Sequence, residues 1–374
     1  MQTERRDKME AIQEAVSPRV CTGRNVGVDL LRVVAAYYVI ILHILGVGGL
    51  INACSYGSYQ YQLCKMLLNW SYCAVNIFGV ISGYVGYTDE ERPHKFKKWL
   101  MLWLEVVFYG VLLTLLTLWL RPGMAKPRSV ASMFFPVLLN HHWFFTAYTG
   151  IFFFIPLMNA ALRNISNKTL LRLLAFVVFI FAPISDINDI FFCQNGYSTI
   201  WLAILYLVGA ILKKTGLGSS IRSLALFGMI AGIAFVSFLF NSHYFSIEFA
   251  GITVGSQMVE TYVYPGHLLI AICYVLLFSR LKTGKFLKRF SAFAAPGALA
   301  VYLINTQRFV WNGYMADHFA SWASSSPLGI AVRVAVTAFV FVFVSLTVDF
   351  LRRCIFALVQ KKSTKLLSCT RIFL

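Results

Sequence analysis

The chain has 374 residues, 59% of them hydrophobic and only 13% charged, with a mean hydropathy of +0.70. Such proportions exclude a soluble globular protein. Long apolar runs between short polar stretches describe an all-α, polytopic integral membrane bundle. The net charge of +18 would suit a nucleic-acid binder if the charges were spread evenly, but they are not. With the N-terminus placed in the cytoplasm, 26 of the 33 Lys and Arg fall in cytoplasmic segments. Four (Lys65, Arg121, Lys126, Arg128) fall outside and three (Arg32, Arg308, Arg333) within spans. That asymmetry is the positive-inside rule, which predicts both termini in the cytoplasm, an even number of spans, a lipid bilayer as surroundings and no nucleic acid partner.

Ten spans are predicted, at about 26–48, 66–87, 98–120, 142–162, 169–188, 197–213, 221–240, 260–280, 290–312 and 328–351. They form one membrane domain over residues 25–355, between cytoplasmic tails 1–24 and 356–374 that are expected to be mobile or to lie on the membrane surface. The first 24 residues are polar and charged with no apolar core, so no cleavable leader is expected and the first span is a retained anchor.

The first span carries Arg32 and His43. An ionisable group in hydrocarbon costs about 2.5–3.5 kcal/mol on insertion scales, so such residues mark functional sites. Eleven residues at roughly 100° each return to within about 20° of the starting azimuth. The two side chains therefore share one helix face, about 16 Å apart along the axis. Asp29 lies three residues before Arg32 and can pair with it on that face.

The second span ends in Phe78-Gly79-Val80-Ile81-Ser82-Gly83-Tyr84. Ser82 and Gly83 suit close helix packing rather than nucleophilic chemistry, and Tyr84 suits an interface. The loop that follows, Arg92-Pro93-His94-Lys95-Phe96-Lys97-Lys98, is a dense cationic patch able to hold phosphates through charge-assisted contacts. The third span contains Glu105, expected to face the bundle. The fourth opens on His141-His142-Trp143-Phe144-Phe145-Thr146-Ala147-Tyr148 and contains Pro156. Trp143 reads first as an aromatic-belt residue, with sugar stacking as its functional alternative. Glu260 and His267, seven apart on the eighth span, are expected to share a helix face but are too few ligands for a metal. The ninth carries Asn305 and Arg308, the latter able to bind an anionic acceptor group or to snorkel. Cys54 and Cys64 share an outer loop and either pair or stay free.

Three motifs taken together give a resemblance: Val28-Asp29-Leu30-Leu31-Arg32-Val33-Val34-Ala35 with Val39-Ile40-Ile41-Leu42-His43, then Phe78 to Tyr84, then His141 to Tyr148 running on to Ile155-Pro156-Leu157. In this order they resemble the acyltransferase-3 family of membrane O-acyltransferases, among them bacterial surface-polysaccharide O-acetyltransferases. The resemblance covers about residues 25–350. It implies transfer of an acyl group, most often acetyl, from cytoplasmic acyl-coenzyme A as co-substrate to a sugar hydroxyl of a polysaccharide or lipid-linked glycan, with no bound cofactor or metal. It implies a bacterial cytoplasmic-membrane location. One departure stands out, because many members carry histidine where this chain has Asn305, which cannot titrate.

On that reading His43 is the general base and Arg32 serves both catalysis and the coenzyme. Ser82, Tyr84, Arg92, Lys95, Lys97 and Lys98 are expected around the coenzyme, and His142, Trp143 and Arg308 around the acceptor. The rival expectation is a transporter of a small metabolite or glycan intermediate. Paired inverted halves with broken helices would favour that rival.

Overall fold

The computed structural model describes residues 24–91, 96–121, 123, 127–243, 246–249 and 252–370. The first helix, α1 (Val26–Leu45), starts where Asn25 accepts a hydrogen bond from the Val28 amide at 3.1 Å, satisfying one of the donors a helix start leaves free. The Asn25 side chain also donates to the Ser279 carbonyl at 2.8 Å, tying this end of α1 to the end of a distant helix.

Helices α2 (Tyr59–Ser71) and α3 (Ala74–Gly86) follow almost without interruption, then α4 (Phe96–Leu120) and the short α5 (Pro127–Phe134). The fourth predicted span is bent by 54° into α6 (Trp143–Phe152) and α7 (Ile155–Asn164). Pro156 sits in the first turn of α7, where its missing N–H breaks the ladder to the preceding turn. Helices α8 (Asn167–Phe176) and α9 (Ala182–Ile187) run on through a π-helical turn at Val177–Phe181.

Helix α10 (Thr199–Thr215) has 17 residues, the short end of what crosses hydrocarbon. After α11 (Ser223–Ser242), strands β1 (Ser246–Phe249) and β2 (Ile252–Gly255) form an antiparallel hairpin with Ser246 opposite Gly255. A 3₁₀ turn at Ser256–Glu260 precedes α12 (Pro265–Ser279). Then come α13 (Lys285–Ala294), a 3₁₀ turn at Ala295–Gly297, α14 (Ala298–Thr306) and the long α15 (Pro327–Thr370).

Among the described residues, eight helical segments are long and apolar enough to cross a membrane, and the bent α6–α7 pair makes nine. With α10 these occupy all ten predicted positions, so the all-α polytopic bundle stands. Three details differ from expectation. The eighth and ninth predicted spans are interrupted, at 261–264 and at Ala295–Gly297, where Pro265 and Pro296 start new helical turns. Glu260 and His267 therefore do not share a helix face: Glu260 pairs with Lys65, and the His267 ring bonds the Val259 carbonyl at 2.7 Å. Helix α15 also continues past residue 355, because 356–370 hold no Pro or Gly to stop it. Cys54 and Cys64 are buried free thiols in mutual contact.

The tightest crossing is α3 on α10. A Cβ on Gly83 would sit 1.8 Å from the Tyr206 carbonyl oxygen, and one on Gly209 would sit 1.9 Å from the Val80 carbonyl oxygen. Small residues on both helices let the backbones touch, the membrane mode of helix packing. Gly83→Val is accordingly expected to cost about 3 kcal/mol or more through overpacking. Size-exclusion profile and thermal midpoint of the purified variant would check this.

A second anchor joins α4 to α15. Asp349 is fully buried and accepts hydrogen bonds from Arg352 and Arg353, each at 2.8 Å, and from the Tyr109 hydroxyl at 3.0 Å. Glu105 lies 3.2 Å from Arg352, so it faces the bundle as expected. These buried charges are each paired, the condition under which an apolar medium tolerates them.

Candidate active site

Helix α1 presents Arg32, Ala36, Val39 and His43 to one cavity of about 320 Å³. These four positions are the stripe expected of a single helix face. Helix α3 contributes Val75, Phe78 and Ser82, held there because Gly83 turns the adjacent face onto α10. Helix α6 contributes Trp143, Phe144, Phe145 and Tyr148, and Tyr262 closes one side. The interrupted ninth segment supplies Ala295, Pro296, Ala298, Leu299 and Tyr302. Irregular backbone at membrane depth is tolerated where it lines a cavity, which is the position of this 3₁₀ turn.

The walls are largely apolar, and the polar groups lie at defined places. At one end the buried carboxylate of Asp29 bonds both Arg24 and Arg32. Two guanidinia against one carboxylate leave a net positive charge there. Tyr148, on the opposing helix, also borders the cavity and lies within the field of Arg32.

About 16 Å along α1, His43 meets Asn305 of α14 through Nδ1 and Oδ1. The Trp311 ring packs edge-on to the imidazole, centroids 4.7 Å apart at 83°. His43 is partly exposed to the cavity, while Asn305 is fully buried behind it.

The other sequence-derived candidates divide into three groups. Ser82 and Trp143 line the cavity. The Ser82 hydroxyl donates to the Phe78 carbonyl at 2.9 Å, so its proton is committed to the helix, as a packing role requires. Trp143 stacks on Tyr262 (6.1 Å, 20°) and packs against Tyr197 at 4.6 Å. It forms a wall of the cavity.

Tyr84, Lys97, Lys98, His142 and Arg308 do not line it. Tyr84 lies under the Lys213 ammonium at 5.2 Å. Lys97 and Lys98 are exposed in the first turn of α4. That turn docks beside the arginine end, because the Trp99 indole donates to Thr149, next to Tyr148, at 3.0 Å. His142 is 1% exposed, with its ring against Tyr302 at 5.7 Å and Nδ1 2.9 Å from Thr306 Oγ1. It therefore stands behind the wall and not in it, because the residue preceding α6 turns toward α14. Arg308 is partly buried beyond α14 and faces His141. Burial, reinforced by that guanidinium, lowers His141 to about 4, so it is neutral. Arg92 and Lys95 lie outside the described residues.

Tyr148, Tyr262, Tyr302 and Trp311 carry no expected role in the sequence, and Asn305 stands out there only as a departure from the resembling family. A buried amide in an apolar helix was the available signal at that position.

An apolar cavity with a cation at one end and an imidazole at the other can hold a long ligand with an anionic head and a reactive tip. The imidazole can exchange protons with a bound hydroxyl. No curated protein matches the chain, and no solved structure does. A protein-family model described as "Acyltransferase domain" (acyltransferase-3) matches residues 25–349, a stretch that includes every cavity-lining residue. The chain belongs to the acyltransferase-3 family of membrane proteins.

Proposed function

We propose that this protein is an O-acyltransferase of the bacterial cytoplasmic membrane. It moves an acyl group, acetyl in the simplest case, from cytoplasmic acyl-coenzyme A to a sugar hydroxyl of a surface polysaccharide or lipid-linked glycan. The observation that carries this is the placement of Arg32 and His43 on one cavity, one at each end. The lopsided distribution of Lys and Arg supports an orientation with both termini and the arginine end toward the cytoplasm.

In this reading the coenzyme's phosphates bind at Arg32 and at the basic start of α4, where Lys97 and Lys98 lie. The pantetheine arm runs along the apolar wall of Ala36, Val39, Phe78 and Leu299, and the thioester stands near His43. The acceptor hydroxyl gives its proton to the imidazole as its oxygen bonds to the thioester carbon. Collapse of the tetrahedral intermediate breaks the C–S bond, and the imidazolium returns the proton to the leaving sulfur. Trp143 and Tyr262 supply aromatic faces for the sugar.

A test that precedes any mutant is ligand stabilisation. Coenzyme A at a hundred times its Kd is expected to stabilise the purified protein by about 2.7 kcal/mol, read as a raised thermal midpoint. Radiolabel from acetyl-coenzyme A should pass to a glycan acceptor. The interrupted helices at Pro156 and Pro296 favour a second reading, a carrier whose substrate path is the cavity. For a carrier, coenzyme A would leave the midpoint unmoved.

A further inference from the structure

We infer that Asn305, 262 residues from His43 in the chain, holds the His43 imidazole with its proton on Nδ1 and so presents Nε2 to the cavity as the proton-accepting atom. The inference rests on the reading of His43 as the base and adds a positioning residue and a tautomer to it.

The contact is between His43 Nδ1 and Asn305 Oδ1. A carbonyl oxygen only accepts, so Nδ1 carries the hydrogen and a neutral ring then has its lone pair on Nε2. The Trp311 edge contact fixes the plane of the ring about that bond. Asn305 cannot titrate, so it takes no proton from the ring. What it does is select which nitrogen is basic, the function a second group performs in triads of this kind.

Asn305 is 0% exposed, and its Nδ2 has no hydrogen-bond partner among the described residues. An unsatisfied buried donor is costly, so as a packing residue asparagine is a poor choice at this buried position near the end of α14. Leucine, with the same branched set of side-chain heavy atoms, would relieve that cost. The gain that offsets it lies in the bond to His43. The neighbouring Thr306 repeats the device on His142. Its hydroxyl donates to the Tyr302 carbonyl at 2.8 Å and accepts from His142 Nδ1 at 2.9 Å, which leaves His142 Nε2 unpartnered. His142 is shut off from the cavity by Tyr302, so of these two histidines it is His43 that offers its free nitrogen to a ligand.

The test uses the full-length protein in lipid nanodiscs, with histidine labelled in ¹⁵N and the His43 signals identified by their loss in His43→Ala. Wild-type protein is expected to show a protonated Nδ1 and an unprotonated Nε2. Asn305→Leu is expected to mix the two tautomers, keep or raise the thermal midpoint, and lower kcat about 10²-fold with KM for acetyl-coenzyme A unchanged. Asn305→Asp, whose carboxylate still accepts from Nδ1, should recover most of kcat. An unprotonated Nδ1 in the wild type, or full kcat in Asn305→Leu with the tautomers mixed, would overturn the inference. If the wild-type tautomer is as stated but His43→Ala turns over normally, the base assignment fails instead, and the two failures are told apart.

Discussion

His43→Ala is expected to lower turnover about 10²–10⁴-fold, the range a positioned general base contributes, while the protein still folds and still binds coenzyme A. The expectation of intact folding follows from the local packing. The imidazole is partly exposed to the cavity, and the variant enlarges a space that already exists rather than opening a new void in a close-packed core. Asn305 Oδ1 would lose its partner, but the enlarged cavity could admit water to it. Binding is expected to be retained because the cations proposed to hold the phosphates lie a further three turns of α1 away. The measurement is single-turnover transfer from labelled acetyl-coenzyme A, with the coenzyme-induced thermal shift as a fold and binding control. A variant that binds coenzyme A and transfers at the wild-type rate would remove His43 from the chemistry.

The framework and the axis of the site were legible in the sequence for a simple reason. In hydrocarbon every backbone group must bond within its own segment, so apolar length maps directly onto helices. For the same reason a charge in a span is conspicuous, and Arg32 and His43 could be placed on one face by their spacing alone. Other features depend on contacts between distant segments, which spacing does not encode. Nothing local marks Asn305 as the partner of His43, because the two meet only once α14 packs against α1.

Trp143 shows the same limit from the other direction. A tryptophan near a span end suits the aromatic belt, and only the packing of Tyr262 and Tyr197 around it makes it a cavity wall. The interruption at Pro296 was likewise hidden within an apolar run. Proline breaks the helical ladder locally, but whether the chain then continues in the same direction is decided by its neighbours, here Asp349 and Leu346 facing Gly297. The misplacement of His142 has the same origin, since its adjacency to Trp143 in sequence does not imply a shared face.

Arg32→Ala is expected to raise KM for acyl-coenzyme A by about 10- to 150-fold, the equivalent of the roughly 1.5–3 kcal/mol carried by a hydrogen bond to a charged group. The local charge balance makes this the cleaner of the two arginine deletions. In the wild type Arg24 and Arg32 share Asp29, leaving one net positive charge at this end of the cavity. Without Arg32 the Asp29 carboxylate keeps Arg24, so no buried anion is orphaned and the helix is expected to hold. The net charge of the Arg24–Asp29 pair, however, is zero, and a coenzyme phosphate arriving there keeps Lys97 and Lys98 at the start of α4 but loses its guanidinium. Arg32→Lys restores the charge but not the planar fork that can serve Asp29 and a phosphate at once, so it should recover only part of the loss. Asp29→Asn separates charge from geometry, since it raises the net positive charge while removing the group that aims the guanidinium. If aim matters more than charge, that variant binds acyl-coenzyme A more weakly than wild type in spite of its added positive charge. Initial rates with acyl-coenzyme A and acceptor varied in turn would decide it. A KM for acyl-coenzyme A that stays constant across all three variants would place the coenzyme's phosphates somewhere other than the arginine end of α1.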